Sequence, residues 1–155
     1  MKTKSKIFLA KIISKIITFF ISKNQTVIRN KINWSLNLDE GIDLSIFLFG
    51  SSEKKVLNFS KLLQKKNTPI IIIDIGANIG SVSLIMAKKL ENSKVFAIEP
   101  TNYAFQKLSK NLDLNDDLKD KVFLKQLFIS NNKKPQKVWS SWNFEKSDLK
   151  HQKHM

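Results

Sequence analysis

Two acidic side chains and a glycine-bearing turn carry the chemistry that this sequence could perform. The turn reads Asp74-Ile75-Gly76-Ala77-Asn78-Ile79-Gly80 after an apolar run, and Glu99 stands 19 positions beyond Gly80. Glycine permits positive φ and a close approach of the backbone to a ligand, and a helix after the turn offers free N–H groups. An acidic residue at about this distance is typical of a carboxylate that accepts the hydroxyls of a nucleoside ribose. The pair predicts a site for an adenosine-bearing ligand.

The same turn argues against a dinucleotide. A dinucleotide fingerprint needs G-x-G-x-x-G so that the helix N-terminus meets a pyrophosphate, and here Ala77 and Asn78 replace the middle of that pattern. Asp74 at the strand end would repel a pyrophosphate but suits a cationic ligand. S-adenosylmethionine carries a sulfonium and an ammonium and no phosphate. Charge complementarity therefore predicts S-adenosylmethionine as the cofactor.

Strand–helix alternation positions these residues. Ile70 to Ile75 is a β-branched run, which is typical of a strand buried on both faces of a parallel sheet. The spacing further predicts a helix over 80–90, a strand over 94–98, a helix capped by Thr101 through Leu112, and a strand over 121–129. Strands alternating with helices predict an α/β fold with a parallel sheet and right-handed crossovers.

The lead-in to this sheet has its own pattern. Residues 32–37 and 43–49 are β-type runs with Gly41 in the segment between them, and they predict a hairpin. Apolar residues at helical spacing within 53–64 predict a helix, which the Asn67-Thr68-Pro69 segment ends.

The N-terminal residues 4–22 predict an amphipathic helix in which Lys4, Lys11 and Lys15 share one face. The lysines leave no uncharged stretch long enough to cross a membrane, and they break the apolar core that a signal peptide requires. Two interpretations stay open: the helix lies on an anionic membrane surface, or it packs on its own domain.

Two stretches of the chain carry a family resemblance. IIIDIGANIGSVSLIMA and VFAIEPTNYAFQKLSKNLDLND resemble the FkbM-type family of S-adenosylmethionine-dependent methyltransferases, over about Ile70 to Asn132. Residues 33–59 are similar to the lead-in of that family. The resemblance implies a Rossmann-like methyltransferase sheet, of which this chain holds the first three parallel strands, and O-methylation of a sugar or secondary-metabolite hydroxyl.

The resemblance also implies roles for individual residues. Those that would bind the methionine side of the cofactor are Asp74, Gly76, Ala77, Asn78 and Gly80. Glu99 would hold the ribose, and the loop that contains Asp116 would border the adenine. Asn111 and Asn115 match the family pattern as well, and roles as helix-end and turn residues explain them equally. No residue is identified as the general base.

The chain is short for a complete domain of this family. Seven strands with their helices need roughly 170 residues, whereas 86 residues run from Ile70 to Met155. The later acidic motif of the family, similar to D-x-E-G-x-E, is missing. We therefore expect residues 1–23 to form the basic helix, 24–68 an N-terminal extension, and 69–155 the cofactor-binding half of a methyltransferase domain. The first strand would then have an open edge that invites pairing with a second copy, and the apolar residues within 138–144 would cover part of the exposed face.

Composition narrows the partners. The formal charge of +14 comes from 27 basic and 13 acidic residues, but Arg29 is the sole arginine. Because phosphate and base recognition relies on the guanidinium fork, we interpret the charge as a solvated lysine surface and expect no nucleic-acid partner. The methyl acceptor would be a small molecule or a glycan.

Metal and redox chemistry are not expected. The absence of cysteine excludes disulfides, thiolate metal sites and a cysteine nucleophile. His151 and His154 stand three apart without a third ligand, so no metal site is predicted. We expect a cytoplasmic protein, membrane-associated if the helix over 4–22 lies on lipid. The alternatives to an active enzyme are a truncated, non-catalytic remnant that at most binds cofactor, and a peripheral membrane module.

Overall fold

The computed structural model describes residues 3–52, 54–64 and 68–131. The helices and strands in these ranges are α1 (Thr3–Phe20), β1 (Asn24–Arg29), β2 (Ile32–Asn37), α2 (Gly41–Phe49), α3 (Lys54–Gln64), β3 (Ile70–Ile75), α4 (Ser83–Lys89), β4 (Ser93–Ile98), α5 (Asn102–Asp113), a 3-10 turn (Asp116–Leu118) and β5 (Val122–Lys125). The predicted α/β class is confirmed.

β3, β4 and β5 form a parallel sheet in that order. Asp74 pairs with Ala97, and Ile75 pairs with Ile98, so that the strands end side by side. β3 lies at the edge of the sheet, as predicted for the described part of the chain. β5 ends at Lys125, short of the predicted 129, and α4 begins at Ser83 because the turn continues through Gly80.

The two faces of the sheet differ. One face packs against a core formed by α4, α5 and the lead-in, and Val95, Ala97 and Val122 are buried there. On the other face Ile71, Ile73 and Ile75 are 71%, 64% and 65% exposed. The predicted burial of β3 on both faces is therefore not found within the described residues. The segments that bear on this point and on metal binding, 138–144 and His151 to His154, lie outside the described residues.

The predicted hairpin between 32–37 and 43–49 was wrong. β2 pairs antiparallel with β1, and a two-residue turn with positive φ at Asn30 and Lys31 joins them. Residues 43–49 belong to α2, which ends at Gly50 in the left-handed conformation, with its N–H donating to Ile46 O at 2.8 Å. The composition of this segment is typical of a strand, but the segment forms a helix because Leu44 and Ile46 are then buried in the core.

An asparagine seam, formed by Asn111 and Asn115, joins the hairpin to α5. Asn115 accepts a hydrogen bond from Asn33 N and donates one to Asn33 O, each at 2.8 Å. Asn111 accepts from Ser35 N at 2.8 Å and donates to Ile79 O at 3.1 Å. Both amides are buried. They supply partners to the edge of β2 that β1 does not cover, and this satisfies backbone groups that would otherwise be buried without hydrogen bonds.

The predicted N-terminal helix is present as α1, and one side of it packs on the domain. Ala10, Ile13 and Ile17 contact the core, and Ser14 Oγ donates to Asp39 Oδ1 at 3.2 Å. Among the described residues, none of the helices is long and apolar enough to cross a membrane.

Candidate functional site

A strained turn connects β3 to α4. Gly76, Asn78 and Gly80 have φ values of 81°, 50° and 91°, which glycine adopts freely and asparagine more readily than most residues. Gly76 N and Ala77 N donate to Ile98 O at 2.8 and 3.0 Å. These bonds hold the turn over the end of β4, so that the backbone of the turn lies where the two strands finish.

Glu99, the first residue after β4, contacts the same turn. Its Oε2 accepts from Asn78 N at 3.0 Å, and its Oε1 accepts from Thr101 N at 2.9 Å and Thr101 Oγ1 at 2.6 Å. The residue is 5% exposed. Thr101 precedes α5 as predicted, but its hydroxyl bonds to Glu99 and makes no capping bond to the helix. The carboxylate that follows β4 therefore bonds to the turn that follows β3.

A cavity of about 400 Å³ opens at this end of the sheet, a size typical of small-molecule sites. The residues that line it are Gly41, Ile42, Ser45, Ser52, Asp74, Ile75, Gly76, Ala77, Asn78, Ser81 and Val82. Four of the predicted site residues, Asp74, Gly76, Ala77 and Asn78, are brought together here. Among residues 3–52, 54–64 and 68–131, the lining includes a carboxylate and several hydroxyls and no Lys, Arg or His, although the whole chain carries a charge of +14.

The sequence pattern does not predict the residues that form the opposite wall of the cavity. It comes from the first turn of α2, at Gly41, Ile42 and Ser45, and from Ser52, whose hydroxyl donates to Ser81 Oγ at 3.0 Å. The pattern over 43–49 predicts a strand, so the sequence does not indicate that a helix forms this wall. The predicted resemblance of residues 33–59 to the lead-in of the FkbM-type family was the available signal that this segment belongs beside the turn.

Asp74 and Gly80 have different surroundings. Ser83 Oγ, at the start of α4, donates to Asp74 Oδ2 at 2.6 Å and orients the carboxylate beside the cavity. Gly80 is buried behind the turn, where an added Cβ would lie 2.7 Å from Leu108 Cδ1 and 3.1 Å from Leu84 Cγ. An added Cβ at Gly76 would meet nothing within 4 Å. Gly80 thus permits close helix packing, while Gly76 borders open space.

Gly80, Glu99 and Asp116 do not line the cavity. Glu99 reaches it through the N–H of Asn78. Asp116 is exposed in the 3-10 turn and forms an ion pair of 2.6 Å with Lys119, whose hydrogen bond and charge lower the pKa of the Asp116 carboxyl. The neighbouring Asp117 is occupied by Lys88 at 2.6 Å.

A buried charge cluster fixes the α2 wall to α5. Lys107 Nζ lies 2.9 Å from Glu40 Oε2 and 2.6 Å from Asp43 Oδ2, and Tyr103 donates its hydroxyl proton to Glu40. Burial raises the pKa of the Asp43 carboxyl against the opposing effect of Lys107. Burial and the bond to Glu40 raise the pKa of the Tyr103 hydroxyl. The cluster sets the position of the first turn of α2 and hence the width of the cavity.

A second cavity, of about 250 Å³, lies at the other end of β3, beside Leu63, Thr68, Ile70 and Leu90. Ligands of open parallel sheets bind at the carboxyl ends of the strands, where the first cavity is. Lys89 and Glu91 also line the second cavity, and its lining includes no residue of the glycine turn that borders the first.

Comparison with known proteins supports a methyltransferase origin for part of the chain. No protein-family model matches the chain, so the FkbM-type resemblance stays a prediction. Methyltransferase sdnD of Sordaria araneosa is 49% identical over 47 residues, which is 30% of this chain and 18% of that protein.

Solved structures align with part of this chain at low sequence identity. Protein PH0793 of Pyrococcus horikoshii is 23% identical, with 68% of this chain and 36% of that chain covered and a TM-score of 0.49. TYW2 of P. horikoshii in complex with MeSAdo is 17% identical, with coverage of 82% and 50% and a TM-score of 0.48. The tRNA m1G37 methyltransferase of M. jannaschii is 18% identical, with coverage of 68% and 30% and a TM-score of 0.46. At these values the likeness concerns the fold alone and identifies no substrate. Over its 47 matched residues, this chain is homologous to a methyltransferase of which it spans less than a fifth.

Proposed function

We propose that the cavity at the carboxyl ends of β3 and β4 binds S-adenosylmethionine, and that the chain serves a methyltransferase of the FkbM type. The observation that carries the proposal is the composition of the lining. In a chain of charge +14, the described residues that line this cavity include a carboxylate and no basic side chain. Such a lining attracts a ligand with a sulfonium and an ammonium and repels one with phosphates.

The predicted residues take distinct parts in this proposal. Asp74, oriented by Ser83, would hold the cationic methionine end, and the backbone of Gly76, Ala77 and Asn78 would lie along it. Glu99 would hold the ribose with Oε2, which accepts one hydrogen bond in the structure, from Asn78 N, and has further acceptor capacity.

Gly80 and Asp116, like Glu99, lie outside the cavity lining. Gly80 supports the turn by letting Leu84 and Leu108 approach it. Asp116, in the 3-10 turn after α5, would border the adenine.

When bound, the cofactor supplies a methyl group on a sulfonium, which an acceptor oxygen attacks in line. The contribution of this chain is to hold that cofactor in one orientation, since positioning supplies much of the acceleration of such reactions. We propose a hydroxyl of a sugar or secondary metabolite as the acceptor, on the strength of the FkbM-type resemblance. No residue of this chain is proposed as the group that removes the hydroxyl proton.

Calorimetric titration with S-adenosylhomocysteine tests the cofactor proposal. Wild type should bind it, and Asp74→Asn should bind at least about tenfold more weakly, because a tenfold loss corresponds to one well-placed polar contact. Asp117→Asn removes an exposed carboxylate elsewhere and is the matched control, with affinity unchanged. Glu99→Gln keeps the shape of the side chain while removing its charge, and it should also weaken binding.

NAD⁺ is the discriminating second ligand in the same experiment. We expect no binding, because Asp74 faces the position that a pyrophosphate would need. Heat with NAD⁺, absence of heat with S-adenosylhomocysteine for folded wild type, or equal affinities of Asp74→Asn and Asp117→Asn would each contradict the proposal.

Transfer of labelled methyl groups tests the acceptor. Hydroxylated sugars and glycosides should gain label and bulk tRNA should not. Label in tRNA would replace the proposed acceptor while leaving the cofactor site intact. Cofactor binding without transfer to either class would favour the alternative of a non-catalytic remnant.

A further inference from the structure

The side of α1 that faces the domain contains none of the three phenylalanines of the helix. It consists of Ala10, Ile13, Ser14 and Ile17, and Ser14, bonded to Asp39, is 5% exposed. A helix that served only to complete a core would bury its largest apolar side chains, because burial stabilises in proportion to apolar area.

The largest apolar side chains of α1 point away from the domain instead. Phe8 is 67% exposed and Phe19 is 83% exposed. At 100° per residue they lie on one continuous sector together with other exposed residues, roughly opposite the packed side. The outer sector comprises Phe8, Leu9, Ile12, Ile16, Phe19 and Phe20. Its size and continuity indicate that it contacts something other than this domain.

Charge indicates what that contact is. Lys11 and Lys15 are exposed and fall at the border of the outer sector, next to Phe8 and Phe19. α1 contains no acidic residue, and the chain as a whole carries +14. A second copy would bring the same lysines and the same net charge against each other, which is repulsive. An anionic lipid surface is complementary in both respects, because it takes the aromatic side chains into the acyl boundary while lysines reach the headgroups.

We propose that α1 docks this protein on an anionic membrane surface, with the outer sector inserted and Lys11 and Lys15 at the headgroups. Ser14 and its bond to Asp39 fix the rotation of the helix, so that the outer sector faces the lipid. The proposal is independent of the cofactor site and would hold for a remnant without activity.

Co-sedimentation of the full chain with lipid vesicles tests this proposal. Binding is expected to vesicles of phosphatidylcholine mixed with phosphatidylserine, to fall as salt rises, and to be weak on phosphatidylcholine alone. Phe8→Ser/Phe19→Ser should lower the affinity about tenfold or more through lost insertion. Lys11→Gln/Lys15→Gln should do the same through lost attraction.

The matched control is Ile28→Ser/Phe49→Ser, which removes two exposed apolar side chains from β1 and α2 and should leave vesicle binding unchanged. Thermal unfolding of each variant verifies that it folds.

Three outcomes would overturn the proposal. They are the absence of vesicle binding by wild type, equal binding to neutral and anionic vesicles, and equal effects of the α1 and control variants. Sedimentation velocity identifies the alternative occupant: a wild-type dimer that Phe8→Ser/Phe19→Ser converts to a monomer, without vesicle binding, would show that α1 pairs with a second copy.

Discussion

The turn at 74–80 and the asparagine seam at 111–115 both belong to the predicted FkbM-type resemblance, yet the structure uses them differently. At the turn, Asp74 and the backbone around Gly76 border a cavity. At the seam, Asn111 and Asn115 are buried and bonded to Asn33, Ser35 and Ile79. The polar groups of the turn border a cavity, whereas those of the asparagine seam form hydrogen bonds that hold the fold together.

The difference teaches how polar residues of a shared motif can be sorted. Asn111 and Asn115 are buried, their side-chain oxygen and nitrogen atoms bond to backbone groups, and neither residue lines the cavity. Glu99 stands between the two cases, because it bonds to Asn78 and Thr101 and still has acceptor capacity beside the turn. Membership of the motif does not distinguish these roles, whereas the hydrogen-bond partners of each residue and its position relative to the cavity do.

Replacing Asn111 by alanine should have the largest effect on stability. The variant leaves Ser35 N–H and Ile79 C=O buried without partners, and at 1–3 kcal/mol for each unsatisfied group, plus a small cavity, we expect a loss of about 4 kcal/mol. Chemical denaturation measures the free energy of unfolding. Asn102→Ala, on an exposed position of the same helix, is the control and should stay within about 0.5 kcal/mol.

The same variant sharpens the comparison. If Asn111 serves the fold alone, the folded fraction should keep its affinity for S-adenosylhomocysteine within about twofold. A selective loss of affinity with intact stability would move Asn111 to the ligand side of the division.

The two glycines of the turn provide a second, smaller contrast. Gly80→Ala places a Cβ 2.7 Å from Leu108 and should cost about 3 kcal/mol through overpacking and left-handed strain. Gly76→Ala meets nothing and should cost about 1 kcal/mol through strain alone. The affinity for S-adenosylhomocysteine should instead fall more in Gly76→Ala than in Gly80→Ala, because Gly76 lines the cavity and Gly80 does not. Chemical denaturation measures the loss of stability of both variants, and calorimetry measures their loss of affinity. If Gly80→Ala shows the larger loss in both measurements, our assignment of Gly80 to packing is contradicted.

The smallest expected effect concerns pH. The pKa of Asp43 is raised by burial, so the folded state binds its proton more tightly than the unfolded state does. Stability from this group is fully present below the ordinary pKa of an aspartate and is lost as the pH rises through the raised value. Relative to Asp43→Asn, wild type should therefore lose stability with rising pH across this window. The free energies of unfolding of both proteins, measured along a pH series, test the sign; a parallel pair of curves would mean that Asp43 is not desolvated as the structure indicates.

Much of the sheet could be predicted from the sequence. The run of isoleucines over 70–73, the glycine turn and the Glu99-Pro100 boundary give strong local signals, and the parallel register then brings the ends of β3 and β4 together. The alternation of strand and helix is read directly from periodicity. The meeting of Glu99 with the turn followed from this topology.

The hairpin and the cavity wall could not be predicted by the same means. Apolar residues run without interruption over 46–49, so that helix and strand are not distinguishable by period. The turn at Asn30 and Lys31 adopts positive φ at both positions and lacks the glycine that usually marks it. Gly50, as a helix-ending residue, was the overlooked local signal. The burial of Asp43 depends on Lys107, sixty-four positions away, and no local pattern encodes such a pair.

β3 combines an unpaired edge with a row of solvent-facing isoleucines in the described chain. The unpaired edge and the exposed isoleucines belong to the same short strand. A second strand that hydrogen-bonds to this edge also brings its own side chains beside Ile71, Ile73 and Ile75. Backbone pairing and side-chain contact with this row of isoleucines would therefore form together, whether the added strand comes from the same polypeptide or from another. The gain in stability on such an addition should exceed that from either contact taken separately.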